Sequence, residues 1–450
     1  MSTIEQPDLP LSFRAELLAR LLPQLRAGEC CSLVGTSGVG KSNLVRFLAR
    51  PDVQNHYWPE RAPWIVLVDS HSLVFGEWSS DYIVLELILH RLIMESERRG
   101  LPVAKISWAD DLHRHLLAQP SAHLALRYVE RLCAWLCDEL KHQVILVFDQ
   151  FEDVWQALSA RFFLNLRQLR DQFKYQLVYL TVSRQPLVRT RDDLAAVEAF
   201  WELFANHIYG LGMYSEADAR LMIERLEARA GVPTPADQQG VLLQLSGRHP
   251  GLLRSLFWAT NRSITSDMSP VTLLTYPSVV EECAKLWNDL SAAERRVLAT
   301  LVAGGSPDPA LADALADLRL KELVIGDPPR PFSPVFATYV QTHSETMSTG
   351  IVVNTRLRQV WVDGQLLAEP LSPLEFDLLA YLAQHAGSVC RRDDILHAIY
   401  KEDYLEVNDQ RLDTVLRRLR EALSKNDHAE RYLVTHRGVG IQLTLGQVLT

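Results

Sequence analysis

Eight consecutive residues, Gly35-Thr36-Ser37-Gly38-Val39-Gly40-Lys41-Ser42, have the composition and spacing to grip a polyphosphate. Glycines at 35, 38 and 40 let backbone N–H groups converge on phosphate oxygens, Lys41 supplies a full positive charge for the β and γ phosphates, and the Ser42 hydroxyl suits Mg²⁺. An ordinary glycine-rich turn would share the composition but not the context. The β-type run Ser32-Leu33-Val34 precedes the loop and a helical pattern follows from Asn43, so a helix N-terminus also faces the phosphates. The expectation is a phosphate-binding loop (P-loop) that holds ATP with Mg²⁺ through Gly35, Gly38, Gly40, Lys41 and Ser42.

Such a site needs an acid at the end of a buried strand, and Val144-Ile145-Leu146-Val147-Phe148-Asp149 ends on one. Asp149 is expected to share the metal with Ser42. Glu152, three residues on, is placed to polarise an attacking water, with Asp153 as the alternative acid. The next strand ends Thr181-Val182-Ser183-Arg184, which puts a guanidinium where a γ-phosphate would be sensed, although a solvated arginine cap is the plainer reading.

These residues need a scaffold that brings strand ends together. The first third of the chain alternates β-rich runs at Cys31–Val34, Trp64–Asp69, Val144–Asp149 and Leu177–Ser183 with helical stretches at 44–48, 83–99 and 123–140, the pattern of a parallel sheet covered by helices. From Ser215 to about residue 261 the pattern is helical, broken at Gly247-Arg248-His249-Pro250-Gly251, and reads as a lid. A further helical stretch, 290–341, is the size of a small winged helix. The polar stretch 343–350 reads as a linker, and short strands at Ile351–Asn354, Gln359–Val362 and 365–367 open a separate domain that ends in a hairpin around Gly438 and Gly440. The fold expected is therefore an α/β P-loop NTPase core (1–210) with a helical lid (211–264), followed by two winged-helix domains (265–343 and 351–450) joined by the linker 344–350.

In the last domain, 409–423 is amphipathic, with Leu412, Val415, Leu416, Leu419 and Leu423 facing inward and Arg411, Thr414, Arg417 and Arg418 left for a DNA major groove. Gly438 and Gly440 would let a wing turn tightly and offer Arg437 to a narrow minor groove. Charge argues the other way. Residues 351–450 hold 12 Lys and Arg against 14 Asp and Glu, and the whole chain carries −9, so any attraction to DNA must come from a local basic face. A winged helix kept for protein contact is the competing reading.

With 48% hydrophobic and 22% charged residues, no apolar run long enough to span a bilayer and no secretory leader pattern at Met1, the chain reads as a cytoplasmic protein without a membrane partner. The six cysteines show no metal-ligand spacing and are expected to be buried thiols. No internal repeat of about twenty to fifty residues is present.

The order of P-loop, Asp149-Gln150-Phe151-Glu152, Arg184 and Gly247-Arg248-His249-Pro250 resembles the STAND class of signal-transduction ATPases over about residues 11–343. That resemblance implies that His249 and Pro250 lie beside the nucleotide. The stretches Leu371-Ser372-Pro373-Leu374-Glu375-Phe376-Asp377-Leu378-Leu379, Val389-Cys390-Arg391-Arg392-Asp393-Asp394-Ile395-Leu396, Val415-Leu416-Arg417-Arg418-Leu419-Arg420 and His436-Arg437-Gly438-Val439-Gly440 resemble the OmpR/PhoB-type winged-helix DNA-binding domain. This second resemblance implies DNA contacts at Arg411, Thr414, Arg417, Arg418, Arg420 and Arg437. Together they imply a slow ATPase acting as a switch on transcription, pairing into a homo-oligomer on double-stranded DNA when active. The alternatives are a signalling or defence ATPase that docks on a protein partner, and a replication-initiator-like ATPase.

Overall fold

A computed structural model describes residues 9–69, 80–191, 193–261, 268–348, 350–356, 358–362, 365–367, 370–400, 409–424, 429–436 and 438–449. The chain divides into two compact units, residues 1–339 and 340–450, each with its own core.

The first unit is organised on a five-stranded parallel sheet: β1 (Cys31–Val34), β2 (Trp64–Asp69), β3 (Val144–Asp149), β4 (Leu177–Ser183) and β5 (Ile208–Gly210), in the order β2-β3-β4-β1-β5. Every residue of β1, β3 and β4 is buried, the polar Ser32, Thr181 and Ser183 included, as strands must be when helices cover both faces. The four strands expected from the sequence are present with those bounds. The edge strand β5 is an addition, and the long pattern at 123–140 is an α-helix, Ala122–Cys133, continued by a π-helical stretch, Ala134–Glu139.

Because β4 lies between β1 and β3, the P-loop and the acid at the end of β3 face each other across the tip of β4. This is the ligand crevice of an open parallel sheet, at the carboxyl ends of its strands. Behind β3, an aromatic cluster of Phe148, Phe151, Trp155, Phe163, Tyr179 and Phe200, with ring centroids 4.8–6.2 Å apart between partners, anchors the helix Phe151–Ala157 that carries Glu152.

The lid is helical, Glu216–Ala230, Ala236–Ser246 and Pro250–Asn261. Helices Pro277–Asn288, Ala292–Val302 and Ala312–Leu320 follow, then a two-stranded wing of β6 (Val324–Ile325) and β7 (Arg330–Pro331). The stretch 344–350, expected as a linker, is helical as far as Ser348, since the helix Pro334–Ser348 contains no Gly or Pro after its first residue.

The second unit contains β8 (Ile351–Asn354), β9 (Gln359–Val362), β10 (Gln365–Leu366), β11 (Val389–Cys390), β12 (Leu433–His436), β13 (Gly440–Leu443) and β14 (Gly446–Leu449). They form sheets β10-β9-β8-β14 and β11-β13-β12, packed with helices Pro373–Gln384, Arg392–Tyr400 and Asp409–Ser424 over one apolar core. Among the described residues no helix is long and apolar enough to cross a membrane.

Candidate functional site

The P-loop runs from the end of β1 into the helix Lys41–Leu48, with Gly38 and Gly40 at φ 75° and 97°, a region that favours glycine. Three successive carbonyls of the loop are held from outside. His249 Nε2 lies 3.1 Å from Ser37 O, Gly251 N–H donates to Gly38 O at 3.0 Å, and Arg14 Nη2 donates to Val39 O at 2.7 Å. In a trans peptide the carbonyl and the following N–H point in opposite directions. Pinning Ser37 O and Val39 O outward therefore turns the N–H groups of Gly38 and Gly40 to the other side of the loop.

The pins are rigid. His249 is fully buried, accepts Leu252 N–H on Nδ1 at 3.2 Å, and so carries its proton on Nε2 and donates it to Ser37 O. Burial lowers its pKa to about 3, which keeps the ring neutral. Pro250 opens the helix Pro250–Asn261, where its missing N–H costs nothing. His249 thus touches the loop's outer surface. Arg14 is buried too, donating also to Gly212 O and Met213 O at 2.7 Å, with its guanidinium 4.4 Å from the centre of the Tyr214 ring. No sequence motif singled out Arg14; only the fold brings residue 14 to positions 39, 212 and 213.

On the inner side, Ser42 Oγ donates to Asp149 Oδ2 at 2.8 Å. Lys41 Nζ donates to Gly35 O at 2.8 Å and Thr36 O at 2.9 Å. Burial pushes the Lys41 ammonium below its usual pKa, while Asp289, Glu152 and Asp149 oppose that shift and Arg184 adds to it. Between Asp149 and Glu152 the chain turns through Gln150 in the left-handed region at φ 55°, which directs both acids into the crevice. Glu152 is buried, its Oε1 held by Arg184 Nε and its Oε2 without a hydrogen-bond partner. Asp153 is about half exposed, with its Oδ1 4.0 Å from Arg184 Nη2. The structure thus gathers Gly35, Gly38, Gly40, Lys41, Ser42, Asp149, Glu152 and Arg184 around one crevice, with His249 and Pro250 packed behind the loop.

The residues fit a nucleotide and its metal. Ser42 and Asp149 present hard oxygen donors side by side, and Thr36 Oγ1 and Glu152 Oε2 are buried polar atoms without partners, as a polar ligand requires. Among the described residues no group of three or more His, Cys, Asp or Glu is arranged to hold a metal. Mg²⁺ in general takes one or two protein ligands and completes its shell with water and phosphate.

The family model for novel STAND NTPase 1 matches residues 12–279. The chain belongs to this STAND NTPase family. A second model, for the C-terminal domain of transcriptional regulatory proteins, matches residues 368–443 of this STAND NTPase. Solved structures similar to the STAND NTPase include the Walker-type ATPase PABY2304 of Pyrococcus abyssi, at 16% identity over 73% of this chain and 95% of that one, with TM-score 0.47. The ORC2 protein of Aeropyrum pernix, in ADPNP and ADP complexes, matches at 15% identity over 76% and 96% with TM-score 0.40. The RstA DNA-binding domain of Klebsiella pneumoniae, in complex with the RstA box, matches at 32% identity over 20% and 88% with TM-score 0.18. The STAND NTPase is thus an NTPase module joined to a transcription-regulator type of winged helix.

In that winged helix, Leu412, Leu416, Leu419 and Leu423 are buried and Val415 packs against the core, while Arg411, Thr414, Arg417 and Arg418 are exposed on the helix Asp409–Ser424. Arg417 Nη1 pairs with Glu421 at 2.6 Å one turn on. Arg420 differs from its neighbours: its Nη2 donates to Thr435 Oγ1 at 2.6 Å, which ties the helix to β12. Arg437 lies outside the described residues.

Proposed function

We propose that this STAND NTPase is an ATP-switched transcription regulator, in which the nucleotide bound at the P-loop governs DNA binding by the second unit. The observation that carries the reading is the Ser42–Asp149 contact across the tip of β4, which joins the two oxygen donors a Mg²⁺-nucleotide site needs. Lys41 and the Gly38 and Gly40 N–H groups would bind the phosphates, and Ser42 and Asp149 would share Mg²⁺. A Mg²⁺ held by these two residues would supply neutralising charge to the phosphates.

Glu152 is the proposed base and Arg184 the proposed sensor. Held by Arg184, the Glu152 carboxylate has one oxygen committed. A terminal phosphate that drew Arg184 away would free Glu152 to orient water, so holding Glu152 and sensing the phosphate would be exclusive demands on one guanidinium, and sensing would switch catalysis on. Exposed Arg411, Thr414, Arg417 and Arg418 would meet DNA, with Arg437 as the proposed wing contact. Two such faces on adjacent half-sites would gain avidity, which favours an active homo-oligomer.

The acidic balance of 351–450, 12 basic against 14 acidic residues, favours one rival, a winged helix that docks on protein. Salt-dependent binding of the full chain to duplex DNA, with and without ATP and in Lys41→Ala, separates them. Nucleotide-dependent binding that weakens steeply with salt is expected. Absence of salt-dependent binding in every nucleotide state would move the reading to protein docking.

A further inference from the structure

The segment beyond the lid sends two carboxylates against the P-loop. Glu282, on the helix Pro277–Asn288, is wedged between Gly38 and Gly251 so closely that a methyl group on either glycine would overlap its Oε1, and that oxygen is buried without a hydrogen-bond partner. At the end of the same helix, Asp289 Oδ2 accepts the backbone N–H of Ser37, and Asp289 Oδ1 lies 3.8 Å from Arg184 Nη1. The Asp289 side chain is only 5% exposed.

The Arg184 guanidinium, beside Lys41, is the sensor that the proposed function assigns to a terminal phosphate, and Ser37 N–H is a further donor of the loop that Asp289 occupies. Two anions cannot share them in a buried crevice without strong repulsion. We propose that Asp289 is an internal competitor of the terminal phosphate, so that the site favours a nucleoside diphosphate over a triphosphate. The proposal rests on the P-loop being a nucleotide site.

Asp289 is also wired to the region that follows. Its main-chain O accepts Gln185 Nε2, and Gln185 is the residue after Arg184. Gln185 Nε2 also donates to Glu294 Oε2 at 3.0 Å, and Gln185 Oε1 accepts from Lys321 Nζ at 2.6 Å. Lys321 in turn meets Glu294 Oε1 at 2.7 Å in a fully buried pair. Ser291 and Glu294 form the capping box of the helix Ala292–Val302. A triphosphate that displaces Asp289 therefore pulls on the start of that helix, whereas a diphosphate leaves it in place.

Equilibrium titration of the full chain with fluorescent adenosine diphosphate and a non-hydrolysable triphosphate, both with Mg²⁺, tests this. Asp289→Asn keeps the size and an acceptor oxygen while removing the charge. It is expected to tighten triphosphate binding about tenfold and diphosphate binding less than about threefold. Equal tightening of both, or an unchanged ratio, overturns the competitor role. If the wild-type chain binds neither nucleotide, the nucleotide-site reading itself falls, a result distinct from an unchanged ratio. Should the variant fail to fold, hydrogen exchange of the wild-type chain decides: triphosphate but not diphosphate is expected to raise exchange at amides of 287–294, and equal protection overturns the proposal.

Discussion

Ser42 Oγ and Asp149 Oδ2 lie 2.8 Å apart although the strands that deliver them are not neighbours, because β4 runs between β1 and β3. The contact exists only because three parallel strands end at one level, with Val34 beside Ser183 and Phe148 beside Thr181. Ser42→Ala is expected to leave the fold intact and make nucleotide binding indifferent to Mg²⁺. Titration with and without EDTA reads this, and a retained Mg²⁺ dependence would remove Ser42 from the metal site.

Lys41→Ala removes the loop's full charge. Loss of a hydrogen bond to a charged group is worth about 1.5–3 kcal/mol, so ATP affinity is expected to fall on the order of 10- to 100-fold. Equilibrium titration with a fluorescent ATP analogue is the measurement.

Glu152→Gln keeps shape and hydrogen bonding but loses the carboxylate. Single-turnover hydrolysis is expected to slow by about 100-fold or more, the usual contribution of a positioned base, with ATP affinity nearly unchanged. Asp153→Asn, at a half-exposed position, is expected to have little effect; the reverse result would reassign the base.

His249 has its pKa lowered to about 3 by burial. In the unfolded chain it titrates near 6.5, so below that pH the unfolded state gains a proton that the folded state refuses. The stability this group contributes is complete above pH 6.5 and is lost as pH falls towards 3. Going from pH 7 to pH 5 is expected to cost about 2 kcal/mol through this residue alone. Denaturant titrations at both pH values on wild type and His249→Gln check it: the variant should lose less.

Arg418→Ala and Arg420→Ala are expected to separate contact from scaffold. Arg418 is exposed, so its loss should weaken DNA binding, by about 1–3 kcal/mol at one base position or evenly across sequences with a smaller salt slope. Arg420 is engaged with Thr435, so its loss should lower the second unit's stability by about 1 kcal/mol. Binding on selected and scrambled duplexes at two salt concentrations, with thermal melting beside it, reads both.

The sheet was legible because β1, β3 and β4 are mostly apolar runs rich in β-branched residues, which a parallel sheet covered on both faces favours. Edge strand β5 was not, since its three half-buried residues carry no such pattern. The P-loop and Asp149 announce themselves through local spacing. Arg14 and Asp289 do not: the first is an ordinary basic residue near a helix start, the second an acid after a helix, and Asp289 meets Ser37 across 252 positions of chain. Small polar residues make the stretch 344–350 look like loop, yet the helix Pro334–Ser348 runs through its first five residues.

The parallel pairing of β14 with β8, Gly446 beside Ile351 and Leu449 beside Asn354, has a consequence for how the protein is made. β8 enters the second unit's sheet first in the chain, but one of its edges waits for a partner about a hundred residues later. On the ribosome the first unit has its whole sequence available while that edge of β8 is still unmatched, and domains complete in that order during synthesis. A nascent chain can therefore acquire its nucleotide site before the second unit has closed its sheet, and an interruption of translation before β14 would release an NTPase with an open strand edge.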